Sequence, residues 1–205
     1  MSDRGVFVVF EGGDGVGKST QAELLGAWLA KSGREVVRTF EPGDTPAGAA
    51  MRALVLDPAT GDLAPWAEAL LYAADKAQHL REVVRPALER GAVVICDRYV
   101  DSMLAYQGAG RVLPLDRVEQ VASWATDGLT PDLTVLLDLD PRDGVGTIEA
   151  KDRLEDAGAD FHERVRDGFR ALAGRDPGRY LVLPARWPVD QIAAAVRERL
   201  AALLD

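Results

Sequence analysis

The sequence predicts an α/β domain built on a doubly wound, five-stranded parallel sheet with helices on both faces. Two observations carry the prediction. Short apolar runs of β type alternate with stretches of helical period along the whole chain, and a glycine-rich loop joins the first such run to the first helix. The strands read as Val6–Glu11, Glu35–Glu41, Ala92–Asp97, Leu133–Leu139 and Tyr180–Leu183. Between them the apolar spacing predicts helices over Lys18–Lys31, Pro46–Leu56, Ala64–Arg90, Leu115–Thr126, Asp160–Ala173 and Val189–Leu204. Pro86 lacks a backbone N–H, so the longest helix is expected to kink there.

With 205 residues, 47% hydrophobic and 28% charged, the chain fits one domain spanning residues 1–205. The polar stretch from Asp140 to Gly158 is the one long irregular segment, and a lid loop over about residues 141–158 is the expectation there. No secretory signal is visible, because the apolar run from Val6 stops at Glu11; a cytoplasmic location without membrane association follows as an expectation. The net charge of −9 argues against a nucleic-acid-binding surface and requires any anionic ligand to meet a local concentration of Arg and Lys. Cys96 is the only cysteine and sits in an apolar strand, which points to a packed thiol. His79 and His162 lie on helices without metal-ligand spacing to a second His or Cys.

The strongest motif is Gly12-Gly13-Asp14-Gly15-Val16-Gly17-Lys18-Ser19, followed by Thr20, standing between a strand and a helix. It matches the phosphate-binding P-loop, G-x-x-x-x-G-K-[ST]. The glycines let successive N–H groups converge on phosphate oxygens, Lys18 reaches the β and γ phosphates, and Ser19 can ligate Mg²⁺. A P-loop NTPase-type fold that binds ATP and Mg²⁺ follows. At the end of the third strand, Asp97-Arg98-Tyr99 places a carboxylate and a guanidinium beside the same crevice. Asp97 can hold Mg²⁺ or its water and Arg98 can grip a phosphate, an arrangement suited to phosphoryl transfer.

The run from Asp97 to Gly108 resembles the pattern DRYxDSxxAYQG of bacterial thymidylate kinases. Four other segments resemble that family in the same order: Glu11–Thr20, Glu41–Pro46 continuing to Arg52 and Asp57, Glu68–Leu80, and Asp160–Val165. The resemblance implies an ATP-dependent kinase that converts dTMP to dTDP and a homodimeric assembly. It implies that Asp14 contacts the acceptor sugar or Mg²⁺, that Arg52 and Arg98 hold the acceptor phosphate, and that Tyr72 stacks on the base. Tyr106 would close the sugar pocket, Ser102 and Gln107 would lie along the base edge, Glu163 would help anchor the lid helix, and Arg186 would flank adenine.

The departures from the family pattern are specific. Lys76 stands where relatives carry Arg beside the base, Phe40 replaces Arg before Glu-Pro-Gly, and Met103 replaces a small polar residue. A kinase for another or modified pyrimidine nucleotide is therefore the second reading. The lid carries few arginines and the P-loop none, so the transition-state cation is expected at Arg153, with Lys151 or Arg142 behind it. That thinned lid also leaves open a weakly active nucleotide-binding paralogue.

Overall fold

In the computed structural model, which describes residues 5–140, 154 and 157–204, five strands form one sheet. They are β1 (Val6–Gly12), β2 (Val36–Phe40), β3 (Val93–Asp97), β4 (Leu133–Asp138) and β5 (Tyr180–Pro184). All pair parallel, in the order β2-β3-β1-β4-β5. Each expected strand is present to within a residue or two. The central strands are buried on both faces, which is why they read as continuous apolar runs instead of alternating ones. Val8 and Phe10 of β1 face α1 (Lys18–Lys31) and α8 (Val189–Leu204), where they meet Leu25, Leu29, Ile192, Val196 and Leu200. Phe7 and Val9 point the other way, onto Leu80, Val84 and Leu88.

The other helices are α2 (Pro46–Leu56), α3 (Pro65–His79), α4 (Arg85–Glu89), α5 (Val100–Met103), α6 (Leu115–Thr126) and α7 (Ala159–Arg175). Thr45 caps α2 by accepting a bond from the Gly48 N–H, and Pro46 supplies a preset φ at its first position. The expected single helix over Ala64–Arg90 is instead α3 and α4 joined by a π turn, Leu80–Val84, in which the Arg85 N–H reaches Leu80 O. The proline explains the break: Pro86 offers no N–H to the preceding turn, and the hydrogen-bond ladder shifts by one residue just before it.

The element that the sequence did not announce is α5 with its continuation, a π segment over Leu104–Gly110. It packs heavily on α7, and Gly110 is required there because a Cβ would stand 2.6 Å from Phe161. Among the described residues no helix is long and apolar enough to cross a membrane.

Glu11, wholly buried near the end of β1, ties this element to the sheet. Its Oε1 accepts from the Tyr99 N–H at 2.9 Å and the Ser102 N–H at 3.1 Å, and its Oε2 accepts from Ser102 Oγ at 2.5 Å. Arg98, between β3 and α5, adopts the left-handed conformation at φ 69°. Such strain costs about 1–3 kcal/mol in a residue with a side chain. Three hydrogen bonds to one carboxyl, at about 0.5–1.5 kcal/mol each, are together of the same size as that strain and offset it.

Burial, and then the neighbouring Asp101, push the Glu11 carboxyl up to about 7, against the pull of Ser102 and Arg98. A carboxyl raised from its ordinary 4.5 binds its proton more tightly when folded. The stability linked to it is therefore complete below about pH 4.5 and is lost as pH rises through about 7, by on the order of 3 kcal/mol. Urea unfolding of the wild type and Glu11→Gln from pH 5 to 8 is expected to show the stability difference moving in favour of the Gln protein as pH rises. A difference that stays constant would place the titration of Glu11 outside this window.

Candidate active site

The C-terminal ends of β1, β2 and β3 open into a cavity of about 570 Å³. The P-loop forms one wall. Gly12 has φ 133°, and a Cβ there would stand 2.5 Å from Leu137 O, so only glycine fits where the loop leaves the sheet. Gly17, also left-handed at φ 96°, begins α1 and aims the first N–H groups of that helix along the loop. Thr20 lies in the first turn of α1, exposed, and Val16 packs into the apolar cluster beneath the loop. Lys18 is buried and donates to Gly13 O at 2.6 Å and Gly12 O at 3.3 Å. Burial, and then the charge of Arg98, pull its ammonium down to about 8. Ser19 Oγ donates to Asp97 Oδ2 at 2.7 Å. These are hard oxygen donors of the kind that Mg²⁺ takes. The described residues contain no cluster of three or more His, Cys, Asp or Glu able to cage a metal, so an ion here would rely on further ligands from a nucleotide.

Across the cavity stands a cluster of alternating charge. One Arg98 nitrogen, Nη2, donates to Asp14 Oδ1 at 2.6 Å and to Tyr106 Oη at 3.3 Å, while Nη1 donates to Ser102 Oγ at 3.0 Å. The guanidinium carbon also lies 5.1 Å from the centre of the Tyr106 ring. Tyr106 in turn donates to Asp14 Oδ2 at 3.1 Å and sits edge-on to Phe161 and Phe169. Burial pushes the Asp14 carboxyl up, but Arg98 and Lys18 outweigh it and hold it below its ordinary value. Arg98 therefore joins the P-loop to the π segment through one carboxylate.

The remaining wall is formed by α2, α3 and the loop after β2. Arg52 donates to Pro42 O at 2.7 Å and lies 5.8 Å over the Phe40 ring. Tyr72 is largely buried and contributes to the lining. Lys76 is 2% exposed, and its ammonium donates to Glu41 Oε2 at 2.6 Å. His79 holds the other oxygen, Oε1, through Nδ1 at 2.7 Å. Burial would raise the Glu41 carboxyl, yet Lys76 and His79 hold it below the usual range. Burial likewise opposes the charge on Lys76, and Glu41 more than restores it. Gln107 Nε2 donates to Glu68 Oε1 at 2.9 Å, and Arg111 pairs with the same carboxylate.

Asp14, Gly15, Lys18, Ser19, Arg52 and Tyr72 line this one cavity together with Lys76, Asp97, Arg98, Ser102, Tyr106 and Gln107. Sequence reasoning named all of these; Gly12, Gly13 and Gly17 shape the adjoining loop. Ser102, read along the base edge, has its hydroxyl between Glu11 and Arg98. Arg186 lies exposed on the turn after β5, away from the lining. Arg153, Lys151 and Arg142 fall outside the described residues. Glu163 is on the first turns of α7, exposed. The residues given no role in the sequence were Glu11, Glu41 and Glu68. Glu11 and Glu68 are acids in otherwise apolar stretches, and that was the signal available for them, since a buried acid must have partners; Glu41, in the mixed run Thr39–Asp44, carried no such signal.

The family model for thymidylate kinase matches residues 10–196. The thymidylate kinase of Cutibacterium acnes is 59% identical over 98% of both chains, and that of Deinococcus radiodurans is 52% identical over 94% of this chain and 95% of its own. The crystal structure of thymidylate kinase from Ehrlichia chaffeensis superposes with a TM-score of 0.81 at 30% identity, covering 96% of this chain and 99% of that one. A P-loop, the Arg98 cluster across one cavity and these near full-length matches lead to one conclusion: the chain belongs to the thymidylate kinase family.

Proposed function

We propose that the protein transfers the γ-phosphate of ATP to dTMP, giving ADP and dTDP. The observation that carries the reading is Arg98: its guanidinium faces the P-loop across the cavity and is bonded to both Asp14 and Tyr106. The P-loop amides and Lys18 would take the ATP phosphates, while Arg98 and Arg52 would take the acceptor monophosphate. The two anions are thereby brought in line with their charge neutralised, which is most of what phosphoryl transfer requires. Ser19 and Asp97 would hold Mg²⁺, which neutralises phosphate charge when bound. The Tyr106 hydroxyl on Asp14 narrows the sugar end of the pocket, and the aromatic face of Tyr72 suits a pyrimidine. We assign the transition-state cation to Arg153, a residue worth ~10³–10⁵ in rate in P-loop enzymes. Arg186 is proposed to flank adenine, and the cytoplasm is proposed as the location.

A coupled ADP-release assay with dTMP, dUMP, dCMP, UMP and AMP is expected to show dTMP preferred. Lys18→Ala should lower turnover at least ~10²-fold, as the loss of one preorganised donor does. Arg98→Ala should lower kcat/KM for dTMP at least ~30-fold, the cost of truncating one partner of a buried charge pair. An Arg98→Ala protein with unchanged acceptor kinetics would remove the assignment.

The second reading, a different pyrimidine acceptor, is favoured by the commitment of Lys76 to Glu41. A lysine is a point charge, whereas an arginine can keep such a pair and still present a further N–H to a base carbonyl. Lys76→Arg is expected to lower the KM for dTMP ~5-fold, the worth of one added hydrogen bond of ~1 kcal/mol. An unchanged KM would place the residue outside base recognition.

The assembly is proposed to be a homodimer covering the outward faces of α2 and α3, where Leu54 and Leu70 are about half exposed. Sedimentation equilibrium should give twice the chain mass of 22.1 kDa, and Leu70→Glu should return the monomer. A wild-type protein that sediments as a monomer at micromolar concentration would refute it.

A further inference from the structure

We propose that Glu11 is a positioning residue for acceptor binding, holding Arg98 in its left-handed turn and aiming its guanidinium across the cavity. The inference rests on the reading of Arg98 as the acceptor-phosphate ligand. Glu11 does not line the cavity and lies beneath it, fully buried, one residue before the glycine that starts the P-loop. Two separate paths lead from its carboxylate to Arg98.

The first path is backbone. The Arg98 N–H donates to Phe10 O at 2.9 Å, and the next N–H, of Tyr99, donates to Glu11 Oε1 at 2.9 Å. Consecutive residues of β1 thus take the two amides flanking the strained φ, and the Ser102 N–H on the same oxygen fixes where α5 begins. Without these acceptors the chain would relax to an extended conformation at Arg98 and the side chain would leave Asp14.

The second path runs through the hydroxyl of Ser102. A serine has one proton to give. Ser102 Oγ gives it to Glu11 Oε2, so its lone pair is turned to the Arg98 Nη1 donor at 3.0 Å. Glu11 thereby sets the direction of the hydroxyl, and the hydroxyl sets one edge of the guanidinium. The other edge is held by Asp14 and Tyr106. A fork fixed on both edges meets a phosphate without losing further side-chain freedom.

Steady-state kinetics of Glu11→Ala, Glu11→Gln, Ser102→Ala and the Glu11→Ala/Ser102→Ala pair test this. Each would use whichever monophosphate of the panel the wild type prefers, with ATP affinity from calorimetry alongside. Glu11→Ala should lose ~30-fold or more in kcat/KM for the monophosphate, mainly in KM, as expected for a displaced charged ligand, while ATP affinity stays within about twofold. Glu11→Gln should recover to within ~5-fold, because its carbonyl still accepts from the Tyr99 and Ser102 N–H groups, and Ser102 Oγ, accepting from the new amide with one lone pair, keeps its second lone pair for Arg98 Nη1. Ser102→Ala should lose a smaller ~3–10-fold, and the double variant should lose no more than Glu11→Ala, since the two act along one chain.

An unchanged KM in both Glu11→Ala and Ser102→Ala, or equal losses for ATP and monophosphate, would overturn the proposal. If Glu11→Ala does not fold, Ser102→Ala and Glu11→Gln decide: unaltered KM in the first, or a Gln protein that folds but loses as much as Arg98→Ala, overturns it. Failure of the wild type to use any monophosphate would overturn the acceptor reading, and this proposal with it.

Discussion

The parallel pairing of β1 with β3 is the constraint on which the site depends. In that register Phe10 lies opposite Asp97, so the two chains leave the sheet side by side. One continues into the P-loop and the other into Arg98 and the π segment. The consequence is contact between residues 78 and 84 positions apart: Ser19 with Asp97, and Arg98 with Asp14. A parallel sheet can bring them together because ligands of such folds bind where strand ends diverge. Here β1 has β3 on one side and β4 on the other, and the divergence falls at the glycine-rich turn.

An acidic protein that handles anions must concentrate its cations, and this one does so by spending carboxylates beneath them. Asp14 balances Arg98, Glu41 balances Lys76, and Glu68 balances Arg111. None of these pairs is a free gain in stability, since burial opposes each charge. What they supply is direction. A guanidinium or ammonium packed against a fixed carboxylate is held in direction before any ligand arrives. The same reasoning explains why Arg166 is bidentate to Asp138 and also pairs with Asp140: the chain leaving β4 is anchored to α7 before it enters the segment beyond Asp140.

Much of this was legible in the sequence. Five strands and the helices α1, α2, α6 and α8 follow from apolar period and from breakers such as Gly33 and Pro46, because burial of a face imposes that period locally. The P-loop was legible because its chemistry demands glycine and lysine at set spacing. What failed was local too, but of another kind. The π turn before Pro86 and the π segment over Leu104–Gly110 carry no period of their own. The first arises where Pro86 interrupts the helical ladder, the second where the ladder slips to seat the segment against partners distant in sequence, such as Phe161 and Val165 beside Gly110.

The partners of buried charges lay beyond the sequence altogether. That Lys76 meets Glu41, that Ser102 turns to Glu11, or that Gln107 and Arg111 share Glu68 depends on separations of 35 to 91 residues. The sequence by itself determined the fold class and the phosphate loop, since each is written in period or spacing along the chain, and its resemblance to a family named the other polar residues that line the cavity. The tertiary structure alone decided which acid holds which cation and that Arg98 sits in a left-handed turn. Those choices belong to side chains brought together by the sheet, and a buried charge takes the partner that packing supplies.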